Sequence, residues 1–235
     1  PKLPADAYFL MDATTGQVLV NHNGDLSLPP ASLTKIMTSY VLAEEVDAGR
    51  ASLDDMIKVS RNAWSQNPTF NGSSLMWIEP GKPVSLADLE RGVVISSGND
   101  ASVAVAEHLA ATESSFVDVM NRLAAELGLD NTVYRNPHGL PHPEHRTTAR
   151  DLATLSVALI NGHPEHYKIY KEQSFTYNGI KQYNRNSLLR SDATVDGLKT
   201  GYTSEAGYGL VASAQREDCL LYTSDAADEW RCVGV

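Results

Sequence analysis

The sequence predicts an α/β (α+β) fold in which an antiparallel sheet is assembled from both chain ends and a helical block lies between them. Short strand-like runs bounded by turn residues occur near the start and again after Pro164, while the middle of the chain carries an apolar period of three to four residues. The order strands, helices, strands is expected of a sheet with its helices inserted as one block.

The first half supplies one hairpin and the helical block. Residues 7–11 and 17–21 flank a turn that ends at Gly16 and predict a β-hairpin. Apolar residues three and four apart predict a helix that begins at Ser32 and ends near residue 46. The same period predicts four further helices, at 86–95, 100–111, 114–127 and 148–160. Thr148 followed by Asp151 resembles a capping box at the start of the last of these helices.

The remaining strands follow Pro164. The dipeptide Asn178-Gly179 is a strong hairpin signal, and it separates strand-like residues 174–177 from 181–183. Residues 194–200 and 207–214 predict two more strands.

Composition excludes several classes of protein. With 42% hydrophobic and 20% charged residues, the 235-residue chain is of ordinary globular composition. A formal net charge of −10 argues against a nucleic-acid partner. No apolar run approaches the roughly 20 residues that a membrane-spanning helix needs. The two cysteines, Cys219 and Cys232, lie near the end, and the cysteine-free body is compatible with an oxidising compartment.

Ser32 and Lys35 form the first candidate catalytic pair, in the pattern S-x-x-K. At a helix start the two side chains lie one turn apart, near free N–H groups and positive potential. A desolvated lysine close to other cations can be neutral enough to deprotonate the serine hydroxyl. The alternative is structural, with Ser32 as a helix cap and Lys35 as a solvated side chain.

Two later motifs extend this site. Ser97-Gly98-Asn99 matches S-x-N at a junction between helices, although Ser60-Arg61-Asn62 and Ser65-Gln66-Asn67 match the same pattern. Lys199-Thr200-Gly201 ends a predicted strand, where the glycine would let a substrate backbone approach closely.

The three motifs in this order are the signature of penicillin-binding proteins and class A β-lactamases. The chain resembles the low-molecular-mass penicillin-binding proteins of D-alanyl-D-alanine carboxypeptidase type from about Ala7 to Arg216. The matching segments, besides the three motifs in their contexts, include Gly72-Ser73-Ser74-Leu75-Met76, His138-Gly139-Leu140, Ala149-Arg150-Asp151 and Asn184-Arg185-Asn186. The resemblance implies a β-lactamase/transpeptidase-like fold and a serine peptidase that needs no cofactor.

The resemblance also assigns roles to nine residues. It makes Ser32 the acylated nucleophile and Lys35 its general base, with Ser97 and Asn99 in the proton network. The substrate's terminal carboxylate would be held by Lys199, Thr200 and Arg185, beside Gly201. The oxyanion hole would consist of the main-chain N–H groups of Ser32 and Tyr202. Tyr202 stands where the family commonly has histidine, and this departure affects the expected substrate preference.

The partners implied are the peptidoglycan stem pentapeptide as substrate and β-lactam antibiotics as covalent inhibitors. The native protein is expected to be exported to the periplasm or the outer face of the cytoplasmic membrane, with peripheral membrane association through a segment absent from this chain. One alternative is a non-catalytic penicillin-binding or cell-wall-binding module of the same fold. A β-lactamase is another, but no glutamate between Ser97 and Lys199 is followed four residues later by the asparagine of the class A motif.

Five of the seven histidines are candidates for a metal site. They occur in two groups that contain proline, one of His138, His142 and His145 and one of His163 and His166. Proline prevents the helical H-E-x-x-H geometry, so surface loops without metal are expected, with His138 as a structural residue of its turn.

The end of the chain is expected to be foreign. Residues 1–217 are interpreted as the catalytic domain, incomplete at its C-terminal end. Residues 218–235 resemble the conceptual translation of a sequencing adapter and are interpreted as a non-native tail. On this interpretation the last sheet strand is missing, which would leave an unpaired edge.

Overall fold

The computed structural model describes residues 3–215 and 221–225. Within these residues the strands are β1 (Ala7–Met11), β2 (Val18–His22), β3 (Met56–Ile57), β4 (Val84–Ser85), β5 (Ser174–Tyr177), β6 (Ile180–Tyr183), β7 (Val195–Thr203), β8 (Gly207–Ala214) and β9 (Leu221–Asp225). The helices are α1 (Lys35–Asp47), α2 (Leu86–Val94), α3 (Asn99–Ala110), α4 (Glu113–Glu126), α5 (Ala149–Gly162), α6 (Pro164–Tyr167) and α7 (Leu188–Ser191). No helix among the described residues has the length and apolar character needed to cross a bilayer.

The main sheet combines strands from both parts of the chain, as predicted. Its five strands lie in the order β2-β1-β9-β8-β7, and all neighbours are antiparallel. β7 therefore lies at one edge. β3 with β4 and β5 with β6 form separate two-stranded sheets.

Helix α1 is the centre of the helical block. Its first nine residues, from Lys35 to Ala43, are all buried, and it packs against α2, α3, α4 and α5. A helix that is apolar around most of its circumference is expected in such an interior position. On the other side, Phe9 of β1 packs against Ala149 and Ala153 of α5, which joins the helical block to the sheet.

At the helix starts, one expectation was wrong and another was confirmed only in part. The helix predicted from Ser32 begins at Lys35, because residues Ala31–Thr34 form a 3₁₀ turn. Its first residue, Ala31, has a left-handed φ of 48°. The capping box is only half formed: Thr148 Oγ1 accepts the Asp151 N–H at 3.1 Å, but the Asp151 carboxylate accepts hydrogen bonds from Asn131 and Thr132 instead.

The expected unpaired edge was also wrong. β9 lies between β1 and β8, with Ala7 opposite Asp225 and Ser213 opposite Leu221. Both neighbours are thus paired with a strand from the segment that the sequence analysis interpreted as foreign.

Candidate active site

The predicted site residues converge on one cavity of about 990 Å³. Those that line it are Ser32, Ser97, Asn99, Arg185, Thr200, Gly201 and Tyr202. Lys35 and Lys199 are buried, and each reaches a lining serine by a hydrogen bond. Of the three S-x-N matches, only Ser97 with Asn99 belongs to this cavity lining.

The 3₁₀ turn that carries Ser32 is held between two close approaches of backbone. A Cβ added at Gly201 of β7 would lie 3.1 Å from Ser32 N, and one added at Gly139 would lie 1.8 Å from the Ala31 carbonyl oxygen. Gly139 also has a φ of 88°, which glycine adopts readily. The structure shows that Gly201 admits the turn of Ser32. Gly201 also lines the cavity, and the close approach of a substrate backbone stays a prediction.

Lys35 makes three hydrogen-bond contacts that define how its nitrogen is oriented. Its Nζ lies 3.1 Å from Ser32 Oγ, 2.7 Å from Asn99 Oδ1 and 2.5 Å from the His138 carbonyl oxygen. The two carbonyl-type oxygens can only accept hydrogen bonds. A neutral amine has two N–H groups and one lone pair, so donating to both oxygens leaves the lone pair for the Ser32 hydroxyl.

The electrostatics of the site favour this neutral form. Burial lowers the pKa of Lys35 well below its usual value, and the positive charges of Lys199 and Arg185 lower it further. The Asp100 carboxylate acts in the opposite direction on the pKa of Lys35. Lys35 can therefore act as a general base toward Ser32.

Asp100 fixes the neighbouring loop. Its carboxylate accepts hydrogen bonds from the main-chain N–H groups of Met76, Trp77, Ile78 and Ala101, at 2.8 to 3.2 Å. Burial nevertheless raises the pKa of this carboxyl group. The contacts hold the loop beside the start of α3, where Ser97 and Asn99 lie. The sequence motif includes Asp100 only as a neighbour and gave no signal for this role.

Lys199 and Arg185 supply positive charge near the pair of Ser32 and Lys35. Lys199 Nζ donates a hydrogen bond to Ser97 Oγ at 2.9 Å, and burial together with the Arg185 charge lowers the pKa of Lys199 to about 7. Burial also lowers the pKa of Arg185 from its usual value. Its loop is anchored by Asn186, whose side chain donates to the Gly197 carbonyl at 2.8 Å. The positive charges of Lys199 and Arg185 can bind an anionic group such as a carboxylate.

His138, His145, His163 and His166 are buried. The expectation of surface loops was therefore wrong for His145, His163 and His166, whereas His138 was expected to be a structural residue of its turn. His145 contacts Thr34 Oγ1 at 2.9 Å, and His166 contacts the buried Glu90 at 2.5 Å. No group of three potential metal ligands occurs among residues 3–215 and 221–225.

Comparison with known proteins decides the family. The family model described as D-alanyl-D-alanine carboxypeptidase matches residues 1–224. The chain belongs to the D-alanyl-D-alanine carboxypeptidase family. This confirms the resemblance inferred from the motifs.

Individual members of the D-alanyl-D-alanine carboxypeptidase family support the same assignment. The chain is 50% identical to D-alanyl-D-alanine carboxypeptidase DacC of Escherichia coli strain K12 over 94% of its own length and 56% of the relative's. It is 38% identical to DacF of Bacillus subtilis strain 168 over 90% of its own length and 54% of the relative's. The chain thus spans about half the length of these curated relatives.

Solved structures confirm the predicted fold. Penicillin binding protein 6B from Escherichia coli matches with a TM-score of 0.93 and 46% identity, over 97% of this chain and 73% of that one. Penicillin-Binding Protein D2 from Listeria monocytogenes, in its cefotaxime-bound form, matches with a TM-score of 0.85 and 30% identity, over 97% and 92%.

Proposed function

We propose that this protein is a serine D-alanyl-D-alanine carboxypeptidase that removes the terminal D-alanine from peptidoglycan stem pentapeptides and is acylated by β-lactams. The observation that carries the proposal is the contact of 3.1 Å between Lys35 Nζ and Ser32 Oγ, at a cavity that is also lined by the cationic Arg185. A buried amine beside a hydroxyl supplies the base that acyl transfer needs, and the cations suit a substrate that ends in a carboxylate.

The reaction follows from these positions. Lys35 takes the Ser32 proton while Oγ attacks the carbonyl carbon of the last peptide bond. The main-chain N–H groups of Ser32 and Tyr202 are the proposed donors to the resulting oxyanion. Collapse of the tetrahedral intermediate breaks the C–N bond, and the leaving amine takes a proton from the network of Lys35, Ser97 and Asn99. Water then hydrolyses the ester on Ser32 and restores the hydroxyl.

The substrate's carboxylate is assigned to Lys199, Thr200 and Arg185. Thr200 and Arg185 line the cavity, and the buried Lys199 donates a hydrogen bond to Ser97. Binding by fixed cations orients the last peptide bond toward Ser32. The substrate then loses translational and rotational entropy on binding and not in the reaction step, which lowers the activation barrier. Because such a substrate lies outside the cytoplasmic membrane, the proposal includes export to the periplasm or the outer face of the cytoplasmic membrane, and peripheral membrane association of the whole protein.

The test is covalent labelling. The protein and its Ser32→Ala variant are incubated with a fluorescent penicillin and analysed by denaturing electrophoresis and intact mass, and D-alanine release from a pentapeptide is measured in parallel. We expect a stable adduct and D-alanine release only with the parent. No adduct on folded parent protein would support the non-catalytic module, and rapid turnover of the drug would support a β-lactamase.

A further inference from the structure

Two tyrosine rings stand together beside the cavity. Tyr202 of β7 and Tyr208 of β8 are cross-strand partners, and their ring centroids lie 4.5 Å apart with the planes tilted by 36°. Both residues line the cavity, yet Tyr202 is 57% and Tyr208 is 54% exposed. We call these two residues the tyrosine platform. Its exposed ring surface offers apolar contact area that loses little conformational entropy on binding.

The order of residues along β7 places the platform relative to the scissile bond. Lys199 and Thr200, on the carboxylate side, come before Gly201, whose added Cβ would lie 3.1 Å from Ser32 N. Tyr202 comes directly after Gly201, about 3.3 Å further along the strand. In the binding mode proposed above, the leaving D-alanine lies beside Lys199 and Thr200, so the acyl half of the substrate would extend past Gly201 toward the platform.

The surroundings of the platform differ from those of Lys199 and Arg185. On the β7–β8 turn, Glu205 forms an ion pair with Arg146, with 3.4 Å between Arg146 Nη2 and Glu205 Oε1. In this pair the arginine charge is matched by a carboxylate. The tyrosine platform therefore presents aromatic surface to the cavity, whereas Lys199 and Arg185 supply positive charge to it.

We infer that the tyrosine platform is a specificity subsite for the residue that precedes D-Ala-D-Ala, and that it takes a long, unbranched side chain whose methylene groups lie against the two rings. This inference rests on the proposed function, because it uses the direction in which that substrate binds. A purely structural cross-strand pair would instead stabilise the hairpin and would affect all substrates alike.

The test compares two peptides. Acetyl-D-Ala-D-Ala lacks the residue in question, and acetyl-norleucyl-D-Ala-D-Ala supplies a long aliphatic side chain there. The measured quantity is kcat/KM for D-alanine release from the norleucyl peptide, divided by kcat/KM for the acetyl peptide. We expect Tyr208→Thr, which keeps a β-branched strand residue, to lower this ratio about fivefold to tenfold. Tyr208→Phe keeps the ring and should restore the ratio.

Tyr183 provides a matched control. It is a 62% exposed tyrosine on the other hairpin and is not part of the cavity lining. Tyr183→Thr should leave the ratio as in the parent. A ratio within twofold of the parent in Tyr208→Thr, or an equal fall in Tyr183→Thr, would overturn the inference. Tyr202→Thr replaces Tyr208→Thr if the latter does not fold, since the subsite needs both rings.

A second readout separates this inference from the proposed function. If the parent releases no D-alanine from either peptide, the proposed function fails, and the platform is judged on acylation of Ser32 by a penicillin with a long alkyl acyl chain and by 6-aminopenicillanic acid. Loss of the preference for the alkyl penicillin in Tyr208→Thr would support the subsite. A parent that reacts with neither peptide nor penicillin would overturn both proposals.

Discussion

Lys199 Nζ donates a hydrogen bond to Ser97 Oγ at 2.9 Å, between residues 102 positions apart in the sequence. The contact links the edge strand β7 to the junction between α2 and α3. It places the cation assigned to the substrate's carboxylate next to the hydroxyl assigned to proton transfer, so binding and chemistry share one buried network.

The pKa of Lys199 predicts a pH dependence. Because burial and Arg185 lower this pKa to about 7, Lys199 loses its charge as the pH rises above about 7. We expect kcat/KM for D-alanine release to fall over that range, since kcat/KM reports the free enzyme. Lys199→Arg stays charged and should lose this limb of the profile. Steady-state kinetics from pH 6 to 9 measure both profiles. An equal fall in kcat/KM above pH 7 in the parent and in Lys199→Arg would contradict the assignment.

Asn99 is predicted to keep Lys35 neutral through its uncharged amide. Asn99→Asp places a carboxylate 2.7 Å from Lys35 Nζ with almost the same shape. The added negative charge raises the pKa of Lys35 and favours its protonated form. Acylation by penicillin should slow by about 10²-fold or more, as expected when a general base is lost. Rapid-mixing kinetics with a fluorescent penicillin measure the rate, and an unchanged rate would rule out Lys35 as the base.

Gly139 and Gly128 form a matched pair for the backbone. Both have a left-handed φ, 88° and 71°, but a Cβ at Gly139 would meet the Ala31 carbonyl at 1.8 Å and one at Gly128 would meet nothing within 4 Å. Gly128→Ala should cost about 1–2 kcal/mol of unfolding free energy from φ alone. Gly139→Ala should cost at least about 1 kcal/mol more and should also slow acylation, because the turn of Ser32 must move. Urea unfolding and penicillin labelling test both variants, and equal effects would contradict the clash.

His145 predicts a loss of stability in acid. Burial and nearby positive charges lower its pKa to about 3, whereas in the unfolded chain it titrates near 6.5. The unfolded chain therefore binds more protons between these values, and the unfolding free energy falls as the pH falls from 6.5 toward 3. In His145→Gln, which keeps an N–H donor for Thr34, the loss between pH 7 and pH 4 should be smaller by on the order of 2 kcal/mol. Urea unfolding at the two pH values measures it, and equal losses would contradict a neutral buried His145.

The origin of residues 218–235 can be tested at the gene. We propose that they are foreign to the native protein. Sequencing the source locus across codon 218 should show a different continuation. An uninterrupted genomic reading that encodes the same tail would contradict the proposal, whatever strand the segment forms in this chain.

The comparison of sequence with structure shows where local patterns were sufficient. Turn residues predicted the hairpins, and the spacing of apolar residues predicted the helical block. Strand β8 occurs at the predicted residues 207–214. The convergence of Ser32, Ser97 and Lys199 followed from the motifs and the resemblance. Contacts that depend on tertiary packing could not be predicted in this way.

Three features illustrate that limit. Ala31, the first residue of the 3₁₀ turn, has a left-handed φ, and its carbonyl lies close to the Gly139 backbone. A local sequence pattern does not predict a contact between residues so far apart in the sequence. The His138 carbonyl contacts Lys35 through its main chain, which any residue type could supply. Tyr208 is a candidate specificity residue only because its ring lies beside that of Tyr202, a contact that depends on the pairing of β7 with β8.

The position of β9 between β1 and β8 has a consequence for the order of folding. Ala7 pairs with Asp225, so the centre of the sheet cannot form until residue 225 has left the ribosome. At typical synthesis rates of about 5–20 residues per second, β1 waits on the order of ten seconds or more for its partner. Such long-range pairing is slow to form, and during this interval the open side of the β1–β2 hairpin is exposed to pairing with other chains.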